Sequence, residues 1–114
     1  MQRDIGTPHG ELLPGTLHMM VLKILTRGPM HGYAIAQQIK LISEDVLRVE
    51  EGSLYPALQR MLLKGWVTAE WVPAGPKRRA RVYRLTPGGR KQLAEDVATF
   101  ARVTAATFRV IQPA

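Results

Sequence analysis

The sequence predicts a mainly α, α+β fold in one domain, and three observations carry that prediction. Apolar residues recur at helical spacing in three short segments before residue 65; β-branched and aromatic residues then gather in two runs up to residue 85; and a single long helical stripe fills the C-terminal end. With 114 residues, 46% of them hydrophobic, the chain can build one core but hardly two.

Residues 1–14 mix Gly, Pro and charge without periodicity and read as a mobile N-terminal arm. After Gly15-Thr16, the stripe Leu17, Val21, Ile24 and Leu25 marks a first helix. Gly28-Pro29 stops it, because proline lacks a donor and turns its predecessor away from helical angles. Ile35, Ile39 and Ile42 mark a second helix from just beyond His31-Gly32 to near Ser43, and an extended piece is expected over 45–49. Ser53 offers an N-cap hydroxyl with Pro56 in the first turn, and Leu54, Leu58, Met61 and Leu62 carry a third helix to Gly65. Trp66 to Val72 and Arg81 to Leu85 form a hairpin around a long basic tip at 73–79. Thr86-Pro87 opens the last helix, with Gly88-Gly89 expected only to weaken its first turn; Leu93, Val97, Phe100, Thr104, Phe108 and Ile111 run down one side.

Three helices, a hairpin and a long helix, in that order, are the plan of a winged helix-turn-helix with a two-stranded β wing and a long C-terminal dimerisation helix. The expected division is residues 15–86 for the winged domain and 87–114 for the dimerisation helix. A helix of ordinary diameter fits the major groove of duplex DNA, the preceding helix braces it, and a basic hairpin reaches neighbouring phosphates.

Charge points the same way once it is located. The formal net charge is +7, and nine of the sixteen basic residues lie between Arg60 and Lys91 against one acid, Glu70. Such concentration suits a polyanion partner, although a solvated basic loop is the plainer alternative. On the third helix the residues facing away from the apolar stripe include Ser53, Pro56, Gln59, Arg60, Leu63 and Lys64, with Tyr55 at the edge. Gln59 and Arg60 are types that read base edges, while Ser53 and Lys64 suit phosphate oxygens. Lys77, Arg78, Arg79 and Arg81 on the hairpin complete the expected DNA-binding set. Tyr33 and Tyr55 belong either to that set or to the edge of the core.

The last helix outruns a three-helix core, so its stripe calls for a partner, and a second copy supplies one. The expected dimer interface is Val97, Phe100, Thr104, Phe108 and Ile111, with Leu12, Leu13 and Leu17 added from the N-terminal side. Two recognition helices ~34 Å apart would then read a palindromic operator.

Other classes find little support. No apolar run approaches the ~20 residues of a membrane span, no signal-peptide pattern opens the chain, and the absence of Cys fits a reducing, cytoplasmic setting. His9, His18 and His31 are scattered without metal-ligand spacing, and neither Glu44-Asp45 nor Glu50-Glu51 supplies two carboxyls in contrasting environments. No enzyme, metal site or cofactor is expected.

Five segments then combine into a resemblance: Leu13-Pro14-Gly15-Thr16, Gly28-Pro29-Met30-His31-Gly32-Tyr33, Glu51-Gly52-Ser53-Leu54-Tyr55-Pro56-Ala57-Leu58, Lys64-Gly65-Trp66-Val67 and Tyr83-Arg84-Leu85-Thr86-Pro87-Gly88-Gly89. From about Leu12 to Phe108 the chain resembles the PadR family of bacterial transcriptional regulators, in its short form with a single C-terminal dimerisation helix. The resemblance implies a homodimeric repressor, relieved in some members by phenolic acids or hydrophobic drugs at or near the dimer interface. Drug-binding members place a Trp on the last helix, whereas Trp66 and Trp71 here belong to the hairpin. Phe100 is the candidate substitute, and Met19 and Met20 are candidate lining for such a pocket, with plain packing as their alternative role.

Overall fold

The structure, a computed structural model, describes residues 15–113; the expected arm at 1–14, with Leu12 and Leu13, lies outside the described residues. The elements in chain order are α1 (Thr16–Leu25), β1 (Met30–His31), α2 (Gly32–Ile42), α3 (Glu51–Leu63), β2 (Val67–Gly75), β3 (Arg78–Leu85) and α4 (Pro87–Ile111). The fold is the mixed α and β winged arrangement that the element order predicts. Its core is built from the apolar stripes of α1, α2 and α3: Val21, Leu22, Ile35, Leu54, Leu58 and Met61 are each at most 1% exposed, closed below by Val67 and Tyr83 from the sheet.

Five features depart from the sequence reading. The sheet has three antiparallel strands in the order β1-β3-β2, because Met30 and His31 pair with Tyr83 and Val82 and cover one edge of the hairpin. The expected extended piece at 45–49 instead starts as a turn, with Glu44 and Asp45 both at positive φ and the Ser43 hydroxyl accepting from the Leu47 amide at 3.0 Å. Ile42, expected in the buried stripe of α2, is 51% exposed at that turn.

Helix α3 begins two residues before Ser53, from an extended Glu50, so Ser53 is not its cap and Pro56 sits in the second turn rather than the first. The residue four positions before that proline is Gly52, and an unsubstituted backbone unit can tilt its carbonyl away from the ring at least cost.

The wing also differs. Its strands pair continuously from Val67↔Leu85 to Gly75↔Arg78, with an irregularity between Pro73 and Gly75, so the turn is only Pro76-Lys77 and the long tip is absent. Pro73 is tolerated because β2 is an edge strand.

One joint ties these parts together. Gly65 closes α3 at φ 76°, and the Thr86 hydroxyl donates toward the Gly65 carbonyl at 2.7 Å, with the Trp66 carbonyl at 3.0 Å. The Thr86 amide donates to the same Trp66 carbonyl at 3.1 Å, and the hydroxyl accepts from the Gly89 amide at 3.0 Å as the N-cap of α4. Gly89 is buried against this turn: an added Cβ would overlap the Trp66 carbonyl oxygen and lie 2.7 Å from Leu85 Cδ1. Close approach, not helix weakening, is the reason for glycine there.

Gly88, one residue earlier, has only ordinary contacts at 3.7 Å around its missing Cβ. Gly89→Ala is therefore expected to lower stability by about 1–3 kcal/mol, as over-packing does, while Gly88→Ala leaves it unchanged or raises it. Urea unfolding of both variants checks this, and equal midpoints would count against the joint.

Candidate nucleic-acid interface

Helix α3 sorts its residues into three faces. Leu54, Ala57, Leu58 and Met61 are buried. Gly52, Pro56, Gln59 and Leu63 follow helical spacing on the opposite side, and all are exposed, Leu63 to 79%. Leu63 stands outside the expected site set, yet an apolar side chain on this crest suits contact with a thymine methyl group. Its signal in the sequence is an apolar residue off the core stripe.

The two flanks of α3 meet different neighbours. On one side Tyr55, 41% exposed, lies over the start of α2, where a Cβ on Gly32 would come within 2.8 to 3.0 Å of its ring and hydroxyl. Tyr33, 62% exposed, shares with it a shallow depression that also includes Gln37, Glu50 and Glu51. Partial burial raises the Tyr55 hydroxyl above its ordinary pKa, with Glu51 and then Tyr83 adding to the shift. The acids at the start of α3 complement its dipole, so that end is no phosphate site in itself.

On the other flank Arg60 and Lys64 turn toward α1 and the joint. Arg60 Nε donates to His18 Nε2 at 3.4 Å, the His18 ring meets Trp66 edge-on at 6.0 Å, and Lys64 Nζ lies 5.4 Å from the Trp66 ring centre. Ser53 is exposed. The structure thus keeps Pro56 and Gln59 on the crest, and draws Arg60 aside into a contact that the sequence did not reveal.

The wing carries the remaining cations. Lys77, Arg78 and Arg79 are exposed and take no part in the ion pairs found among the described residues; Arg81 is half-buried. Arg84 lies 3.8 Å from Glu70, and with both side chains more than half exposed the pair contributes little.

Away from the wing, α4 runs beyond the core. Leu93 packs on the core, whereas Val97, Phe100, Phe108 and Ile111 are 40% to 64% exposed. Between α1 and α4 lies an open groove of about 520 Å³ whose lining includes Met19, Asp96, Phe100, Val103, Thr104 and Phe108. Met20 is not part of it; it borders a separate groove of about 260 Å³ between α1 and α2. Leu17 packs, half-buried, on the protomer's own core.

The fold and these surfaces agree with what comparison with known proteins shows, a regulator of transcription. The chain belongs to the transcriptional regulator PadR-like family, whose pattern matches residues 21–95. It is 39% identical over 95 residues to a 37.1 kDa protein encoded in a transposon of Streptomyces fradiae, covering 83% of this chain but only 26% of that protein. A transcriptional regulator of Mycobacterium tuberculosis is 33% identical over 86 residues, which cover 75% of this chain and 77% of the relative. The crystal structure of a PadR family transcriptional regulator from Eggerthella lenta superposes with a TM-score of 0.74 at 28% identity, covering 88% of this chain and 85% of that one. Among the described residues no helix is long and apolar enough to cross a membrane.

His18 yields a prediction from its surroundings. Burial lowers its pKa, Arg60 and Lys64 lower it further, and Asp96 opposes them. The unfolded chain then binds this proton at higher pH than the folded one, so stability is lost as pH falls below about 6.5. His18→Gln keeps an acceptor for Arg60 without titrating. Its urea midpoint is expected to fall less than the parent's between about pH 7 and 5; parallel curves would contradict the assignment.

Proposed function

We propose that this chain is a cytoplasmic, sequence-specific DNA-binding repressor that acts as a homodimer on a palindromic operator. The observation that carries the reading is the pairing of an exposed α3 crest, Pro56 and Gln59 with Leu63, with a wing whose exposed cations Lys77, Arg78 and Arg79 are free of ion pairs among the described residues. Tyr33, Ser53 and Tyr55 flank that crest as further contacts, and Arg60, Lys64 and Arg81 add positive charge beside it. Membership in a family of transcription regulators supports the same conclusion.

Dimerisation is supported by α4. Its 25 residues span roughly 37 Å, and the large apolar side chains beyond Leu93 are left 40% to 82% exposed among the described residues. A second copy laid along Val97, Phe100, Thr104, Phe108 and Ile111 removes them from water, with Leu12, Leu13 and Leu17 as additions. Release of the operator by a small hydrophobic or phenolic effector belongs to the same reading, and the groove holding Met19 and Phe100 is the place that suits it.

Selection of bound fragments from random duplex DNA tests the core of the proposal. The expected product is one symmetric sequence; recovery of unrelated fragments contradicts it. On that operator Gln59→Ala is expected to cost ~1–3 kcal/mol while random duplex is bound as before. Replacing Arg78 and Arg79 together by Ala should weaken both and flatten the dependence of log affinity on log salt by roughly 0.9 per lost phosphate contact. Phe108→Glu is expected to shift the mass in solution from dimer toward monomer, as read by sedimentation equilibrium. An unchanged dimer mass removes α4 as the pairing surface.

A further inference from the structure

Trp71 is a large aromatic residue left 55% exposed on the wing, past the edge of the core. It faces Arg81 directly across the strand pair, and Arg79 follows on the same face of β3 two residues from Arg81. The guanidinium carbons of Arg79 and Arg81 lie 5.3 Å and 5.7 Å from the indole centre, and that of Arg81 is also 5.9 Å from the Tyr83 ring centre. Two cations thus share one aromatic platform. Stacking occupies the flat faces of the guanidiniums and leaves their in-plane N–H donors for an acceptor.

The half-buried Arg81 supplies an independent sign that an acceptor is missing, since its Nε is buried without a hydrogen-bond partner among the described residues. Leaving such a donor unpaired costs free energy, which an acceptor met after a small shift of the side chain would recover. Glu70, the one acid of this segment, lies on the opposite face of β2 with Arg84 and cannot serve.

We propose that Arg79, Trp71 and Arg81 form a preassembled phosphate clamp on the wing, in which Trp71 positions both guanidiniums to grip a phosphodiester of the duplex backbone. The clamp rests on the DNA-binding reading above and adds to it a residue, Trp71, that carries no charge. Rigid stacking removes the rotamer freedom that an exposed arginine otherwise loses on binding, so the aromatic platform strengthens phosphate contacts it does not itself make.

Fluorescence anisotropy of a labelled, selected operator over a salt series tests the clamp. Trp71→Ala is expected to weaken binding roughly three- to thirtyfold with the salt slope unchanged, because no cation is lost. Trp71→Phe, which keeps an aromatic face, should retain most of the affinity. Arg79→Ala lowers the slope by about 0.9, and its loss combined with that of Trp71→Ala should be less than the product of the two. Binding by Trp71→Ala equal to the parent's, or fully independent losses in the double variant, overturns the clamp while leaving DNA binding intact. A parent chain that binds no duplex overturns both.

Discussion

The interaction on which the rest of the structure depends is the knot where α3 ends, β2 starts and α4 starts. Gly65 and Trp66 present their carbonyls to the Thr86 hydroxyl and amide, and the same hydroxyl caps α4 through the Gly89 amide. Five polar groups at a turn, which would otherwise need water, satisfy one another. Because Gly89 has no side chain, the helix start can sit against the Trp66 carbonyl, and that contact fixes the angle at which α4 leaves the winged domain. In a dimer formed along α4, this angle sets the separation of the two α3 crests. A duplex accepts such a pair only near one helical repeat, ~34 Å, so under the proposed reading this hydrogen-bonded joint would bear on recognition.

Charge on this protein is divided between cations that are engaged and cations that are free. Arg60 and Lys64 are turned onto His18 and Trp66, Arg84 faces Glu70, and Arg79 and Arg81 stack on Trp71. Lys77 and Arg78 stand at the wing turn without such contacts in the described structure. Engaged side chains have already lost part of their freedom, and they meet a phosphate with less entropy to give up. Free ones contribute chiefly through long-range attraction, which salt screens.

How much of this could be read from the sequence depended on whether the cause was local. The helix stripes, the stop at Gly28-Pro29 and the Thr86-Pro87 start of α4 are written in spacing and in caps, and all are visible in the chain. β1 is not, because two residues carry no periodicity and pair only where Tyr83 and Val82 offer an edge. The start of α3 is hidden because Ser53 is a good N-cap residue, while the actual cap, Glu50, makes no side-chain bond to announce itself. Pro73 suggested a loop, yet it lies in an edge strand. At the candidate site the outward face of α3 was legible from its stripe, but the turning of Arg60 toward His18 was not: it joins residues 42 positions apart.

Very few side chains link the groove between α1 and α4 to the Arg60 flank of α3. Asp96 borders the groove, accepts from Gln92 Nε2 at 2.7 Å and faces the half-buried His18 electrostatically. His18 in turn accepts from Arg60 on α3 and meets Trp66 beside the joint. A shift of α4 against α1 therefore changes the surroundings of a residue bonded to α3. Since packed interiors yield by repacking rather than by stretching, anything that widened the groove would act on these contacts.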